Sequence, residues 1–272
     1  MDYQELKNWQ QHARLKALLD LSTPPKHLYC SGKIDFNIFE NCAAVVGSRK
    51  MTDYGTRVVE KVVPDLVSKG KTVVSGFMYG VDQYAHQVCI EAGGKTIAVL
   101  GWGIDTKLTP EDLKLAQKIV STGGLIISEW ESQKASHWTF PARNRIVAAL
   151  ASEVIVIEAA TSSGSLITAR LALKLKRELW AVPGPITSRT SRGTNNLIAS
   201  SQAKMWLGGT PENLLQSDNP LLQILDNEAL SADEMARKLN KPVSEIGSEL
   251  SLLLLSGHLI EKGGKYYPSD AS

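Results

Sequence analysis

A chain of 272 residues, 43% of them apolar, is long enough for one large domain and a small one and supplies a full core, which excludes a disordered or fibrous protein. Thirty Lys and Arg against 28 Asp and Glu give a formal charge of +2, and no apolar run approaches the roughly 18 residues of a spanning helix, so a cytoplasmic protein without a membrane partner is expected. Cys30, Cys42 and Cys89 are far apart and form no C-x-x-C pair, which argues against a zinc site or a disulfide framework.

In chain order, residues 1–40 read as a charged amphipathic helix followed by an extended lead-in, "LSTPPKHLYCSG". From Ala43 onward, the short β-branched runs "AAVVGS", "KTVVSG", "KTIAVLG", "GLIISE", "EVIVIEA" and "ELWAVPG" alternate with helical patterns. Apolar strands separated by helices predict an α/β fold for residues 41–210, an extended Rossmann-like, doubly wound and mostly parallel sheet. The strand ends repeatedly carry Gly, Ser or Thr, and ligands of such sheets bind beyond the carboxyl ends of the strands.

Residues 211–219, within the Gly- and Pro-containing stretch Gly208 to Pro220, read as a linker. Residues 220–272 contain three short helical patterns and a Gly-Gly hairpin signal between "HLIEK" and "KYYP", with Ser231 as N-cap and Glu234 at the capping-box position, which predicts a small C-terminal winged-helix domain. Residues 212–272 hold five Lys/Arg and ten Asp/Glu, so the tail is −5 and the remainder +7. Any attraction for nucleic acid is therefore expected in the main domain.

Four stretches carry candidate chemistry. "VVGSRKMTDYG" puts a tight turn, Gly47 and Ser48, after the first strand of the alternating series and projects Arg49 over the rim; it lacks G-x-G-x-x-G and the acidic residue about twenty positions later of a dinucleotide site. "SGFMYGVDQYAH" is a second strand-to-helix junction, where Gly76 permits close backbone approach and Asp82 and His86 sit one helical turn apart as a structural pair. "FPARNRIVAAL" sets Arg143 and Arg145 around Asn144 near a helix start, where guanidinium forks suit phosphate oxygens, while Phe140 is expected in the core. "EAATSSGSLITARLALK" places Ser163, Gly164, Ser165 and Thr168 in the first turn of a helix, an anion cup without the G-K-[ST] of an ATP-hydrolysing loop.

Taken in order, "VVGSR", "SGFMYGVDQYAH", "GGKTIAVLGWGID", "GGLIISE", "FPARNRI", "VIEAATSSGSLITA", "AVPGPI" and "SRGTNNLI" resemble the DprA/Smf family, the DNA-processing protein A group, from about Pro24 to Trp206. The resemblance implies a homodimeric mediator, not an enzyme and without a cofactor. Such a mediator binds single-stranded DNA through the extended Rossmann domain, protects incoming strands and loads the RecA recombinase in natural transformation. It carries the DNA pocket onto Gly47, Ser48 and Arg49, onto Arg143, Asn144 and Arg145, and onto the Ser163 to Thr168 turn. The sequence departs from the family pattern at Met78, where a small residue is usual, and at "LTPEDLKL", where Glu111 and Asp112 enter a segment that usually supplies a basic residue; only Lys107, just before it, and Lys114, within it, are placed to compensate.

Two other classes compete. A phosphoribohydrolase-like nucleotide-processing enzyme would need a carboxylate in the helix start that reads "TSSGSLITAR" here. A regulator reading duplex DNA would need Lys or Arg on its recognition helix, whereas Val243 to Leu259 offers two glutamates and neither cation.

Overall fold

The computed structural model describes residues 2–208, 220–225, 228–255 and 259–268, so the linker expected at 211–219 lies outside the described residues. Two compact units divide after Gly208.

The first unit is built on a nine-stranded sheet. Its strands are β1 (Gln4–Glu5), β2 (Tyr29–Ser31), β3 (Cys42–Val46), β4 (Thr72–Ser75), β5 (Thr96–Val99), β6 (Leu125–Ser128), β7 (Glu153–Val156), β8 (Glu178–Ala181) and β9 (Lys204–Met205). They lie in the order β1-β2-β6-β5-β4-β3-β7-β8-β9. From β6 through to β9 every pairing is parallel, and β2 adds antiparallel to β6 and to β1. The helices are α1 (Asp53–Ser68), α2 (Val81–Glu91), α3 (Pro110–Ser121), α4 (Thr139–Leu150), α5 (Ser165–Lys174) and α6 (Arg192–Ala199).

The two-residue period of a strand divides the core between the faces. Ala44, Val46, Val154 and Val156 face the cluster that holds Ala149 of α4 and Ala169 of α5, while Ala43, Val45 and Ile155 face Val59 of α1 and Ala85 of α2. Both faces are covered, which is why these strands read as continuous apolar runs.

The segment that reads as an N-terminal helix forms two 3-10 helices, Trp9–Gln11 and Ala13–Asp20. Trp9, Leu15, Leu18 and Leu21 are buried in the same cluster as Ala44 and Val46. Their spacing is a multiple of three, which suits three residues per turn better than 3.6.

The second unit comprises α7 (Pro220–Leu225), α8 (Ala232–Leu239), α9 (Val243–Leu255) and the hairpin β10 (Leu259–Lys262) and β11 (Lys265–Pro268). Three helices and a two-stranded wing are compatible with a winged helix. Leu221, Met235, Ile246, Leu250 and Leu259 share its core. The capping box forms as read: the Glu234 N–H donates to Ser231 Oγ at 3.3 Å and the Ser231 N–H to Glu234 Oε2 at 2.8 Å. Gly263 and Gly264 turn the hairpin with φ of 63° and 72°, a two-residue geometry that requires positive φ twice.

Candidate nucleic-acid interface

The chain leaves β3 for α1 on one face and leaves β7 for α5 on the other, so the two strand-end loops diverge and leave a crevice between them. A cleft of about 1100 Å³ occupies this place, lined by Val46 to Lys50, by Gly76, Met78 and Asp82, by parts of 135–147 and 160–168, and by Arg189 and Thr190. The structure gathers there every site residue expected from the sequence except Arg145.

Gly47 lies against α2, since a Cβ there would meet Val81 Cγ2 at 2.6 Å. Ser48 holds the turn: its hydroxyl accepts the Lys50 N–H at 3.0 Å and its carbonyl the Val81 N–H at 3.2 Å. Arg49 extends outward, exposed, with its guanidinium carbon 4.9 Å from the centre of the Phe140 ring. Phe140 is thus half-buried in the cleft wall, correcting the expectation of a core side chain; Trp102 meets its edge, with ring centres 6.2 Å apart.

The paired arginines separate. Residues two apart on a helix point in different directions, and α4 obeys that rule. Arg145 turns away from the cleft into a two-pronged ion pair with Glu129, at 2.5 and 3.0 Å, which leaves no fork for a phosphate. Arg143 does line the cleft but is only 3% exposed. It donates to the Val99 carbonyl and, through Nε at 3.1 Å, to Asn144 Oδ1, and it stands 4.0 Å from Asp82. Arg143 is therefore a buried strut between β5, α2 and α4, not the free rim cation expected.

Asn144 in turn donates to the Gly164 carbonyl at 3.3 Å, tying α4 to the start of α5. Ser163 and Ser165 share a hydroxyl contact at 2.8 Å, and Thr168 is buried one turn further. Gly76 makes the Arg143 arrangement possible: a Cβ there would collide with both the Asp82 carboxylate and the Arg143 guanidinium. Its carbonyl accepts from His86 Nε2 at 2.6 Å, and His86 Nδ1 faces the Thr96 hydroxyl at 2.7 Å, so His86 is a satisfied core group. Burial pushes the His86 imidazole down to about 4. Burial likewise raises the Asp82 carboxyl and lowers the Arg143 guanidinium, while each opposes the shift of the other.

Sequence reasoning missed Lys50, His137, Arg189 and Thr190, all of which line the cleft. Arg189 carries no motif and arrives from the segment after β8, some 140 residues from Arg49. The group that holds it there is Glu158, 2% exposed, whose carboxylate accepts the Thr52 N–H at 2.9 Å, the Thr52 hydroxyl at 2.7 Å and the Thr190 hydroxyl at 3.0 Å. Asp82 is the single carboxylate among the described lining residues, and it faces Arg143. Among the described residues no group of three or more His, Cys, Asp or Glu could hold a metal.

An open, mostly parallel sheet with a strand-end cleft at the reversal of strand order defines an α/β protein of the doubly wound class. Residues 7–217 match the DNA recombination-mediator protein A family, and the chain belongs to it. It is 34% identical over 248 residues to Protein Smf of Escherichia coli (82% of this chain, 66% of that protein) and 39% identical over 182 residues to DNA processing protein DprA of Streptococcus pneumoniae (66% and 64%). The chain thus spans just under two thirds of the length of these curated relatives. Among solved structures, DNA processing protein A of Streptococcus pneumoniae superposes with a TM-score of 0.65 at 36% identity, covering 73% of this chain and 69% of that one. The Helicobacter pylori protein, whose structure concerns its single-stranded DNA binding mode, gives 0.67 at 31%, covering 84% and 98%.

Proposed function

We propose that the cleft grips the phosphate backbone of single-stranded DNA and that the chain is a recombination mediator, presenting the strand to a RecA-type recombinase in the cytoplasm. It works as a homodimer, with no cofactor and no reaction of its own. One observation carries this reading: the exposed cations Arg49, Lys50 and Arg189 converge with the start of α5 on a cleft whose single described lining carboxylate is engaged by Arg143. The single-strand binding mode of the Helicobacter pylori relative supports it.

In this mechanism Arg49, Lys50 and Arg189 neutralise successive phosphates while the N–H groups at the start of α5 donate to the oxygens of one more. The proposed DNA-contacting set is Gly47, Ser48, Arg49, Lys50, Gly76, Asn144, Ser163, Gly164, Ser165, Thr168 and Arg189, with Arg143 shaping the floor. A second bound copy on the same strand raises avidity through effective concentration. The C-terminal unit contributes little to the grip: on α9, Glu245 and Glu249 hold Lys241 at 2.7 and 3.1 Å.

A fluorescence-anisotropy titration with single-stranded DNA, blunt duplex and mononucleotide competitors tests the reading. Single strands are expected to win, with affinity falling with salt by a log–log slope of about −0.7 per phosphate contacted. Equal affinity for the duplex would refute it, and robust base release from nucleoside monophosphates would favour the nucleotide-processing enzyme instead.

A further inference from the structure

The wing of the second unit breaks the apolar-in, polar-out alternation of a strand with one face to solvent. Side chains of β10 and β11 point alternately to two faces. One face carries Leu259, which is buried, and Tyr266, which packs on the core of the unit. The other carries Ile260 opposite Tyr267 and Lys262 opposite Lys265, and all four are exposed, Ile260 by 50% and Tyr267 by 36%.

Hairpin stability alone does not account for this face. An aromatic opposite a β-branched residue supports a cross-strand pair, but like charges directly opposite work against it. Among the described residues Lys262 and Lys265 form no ion pair, whereas Lys238 is engaged by Glu228, and Lys241 by Glu245 and Glu249. Glu261 belongs to the other face, opposite Tyr266. Glu234 feels the charge of Lys265, yet its carboxylate is held at the cap of α8 by Ser231.

The outer side of β10 is an open sheet edge. The Tyr266 N–H donates away from β10, to the Leu230 carbonyl at 2.9 Å, so Tyr266 and Glu261 form a non-hydrogen-bonded pair and the N–H and C=O of Glu261 point away from β11. Among the described residues no strand pairs with that edge.

We propose that the wing docks an extended acidic segment of another protein, which adds as a strand beside β10. It sets an apolar residue against Ile260 and Tyr267, and a carboxylate two residues away against Lys262 and Lys265. Main-chain bonds to Glu261 supply affinity, and the two-residue spacing along one face supplies selection. The uncompensated lysines call for an anion, and the apolar pair beside them favours a peptide. Nucleic acid fits less well: two lysines neutralise only about two phosphates, and α9, the helix that would enter a groove, carries Glu245 and Glu249 and no Lys or Arg.

The test uses the full chain and a short fluorescein-labelled peptide, T-D-T-L-T-D-T, whose pattern is the same in either strand direction. Two control peptides carry Lys in place of Asp, or Ser in place of Leu. Anisotropy at low ionic strength should show binding of the acidic, Leu-containing peptide alone. Lys262→Glu with Lys265→Glu should weaken that binding about tenfold or more and transfer it to the lysine peptide, and Ile260→Gln with Tyr267→Gln should weaken it comparably. These substitutions leave Leu259 and Tyr266 in the core, and a circular-dichroism melt checks each fold; if one pair unfolds the unit, the other decides. Every variant should bind a thymidine oligonucleotide as wild type does. Failure of the acidic peptide to bind, equal binding of all three peptides, or folded variants that bind it as wild type does would overturn the docking surface. A charge-reversed wing that loses the thymidine strand assigns this face to nucleic acid and overturns it too.

Discussion

Replacing Arg143 by alanine separates a strut from a surface cation. The guanidinium is 3% exposed, donates to the Val99 carbonyl and to Asn144, and faces Asp82 at 4.0 Å. Its removal leaves Asp82 without its opposite charge, the Val99 carbonyl without a donor and a gap between α2 and α4. Breaking one side of a buried pair costs about 3–5 kcal/mol. All six tryptophans lie at or before Trp206, so their fluorescence reports unfolding of the first unit alone. With a urea dependence of about 2 kcal/mol/M, the midpoint should fall by roughly 1.5–2.5 M. The deficit should also depend on pH. Without Arg143, burial alone raises the Asp82 carboxyl, so above about pH 4 the folded state retains a proton that the unfolded state has released, and stability falls further as pH rises. Joint replacement, Asp82→Leu with Arg143→Met, should recover most of the loss. An Arg143→Ala protein that unfolds at the wild-type midpoint would refute the strut.

Arg49→Ala should behave in the opposite way, keeping stability within about 1 kcal/mol while making the salt dependence of strand binding shallower by about 0.7, checked by urea melts and anisotropy. His86 is held neutral by burial, at about 4 against an ordinary 6.5, so its contribution is complete above pH 6.5 and is lost as pH falls toward 4. Up to about 3 kcal/mol should disappear across that window in wild type and not in His86→Gln, measured by urea unfolding at stepped pH. Deleting residues 212–272 removes five basic and ten acidic groups, so single-strand affinity should persist or rise, most visibly at low ionic strength. A folded, dimeric truncation that lost most of its affinity in anisotropy would show that the C-terminal unit grips DNA.

The six central strands were legible because a parallel sheet covered on both faces demands uninterrupted apolar runs, and "VIVI" or "LIIS" offers little else. The junctions after β3, β4 and β7 were legible for a related reason: small and hydroxyl residues at strand ends mark close backbone approach. What failed was direction. "RNR" looks like a doubled cation in one dimension, yet a two-residue step on α4 sends Arg143 inward and Arg145 to Glu129, a divergence that helical geometry alone foretells. Arg189 had no local sign, because its position depends on β8 lying beside β7 and on a long-range bond from Thr190. The edge strand β2 is three residues long and takes its register from β6, so "YCS" carried no pattern of its own.

Glu158 has a consequence for how quickly and how tightly a ligand is held. Because its carboxylate fastens Thr52, at the start of α1, to Thr190, next to Arg189, the two sides of the cleft are set against each other when the chain folds. A ligand then meets walls already in place, and little ordering entropy opposes its capture. Affinity in such a pre-organised site is governed by residence time: loosening Glu158 would let a strand escape sooner, while the rate at which strands arrive would stay that of cations steering a polyanion.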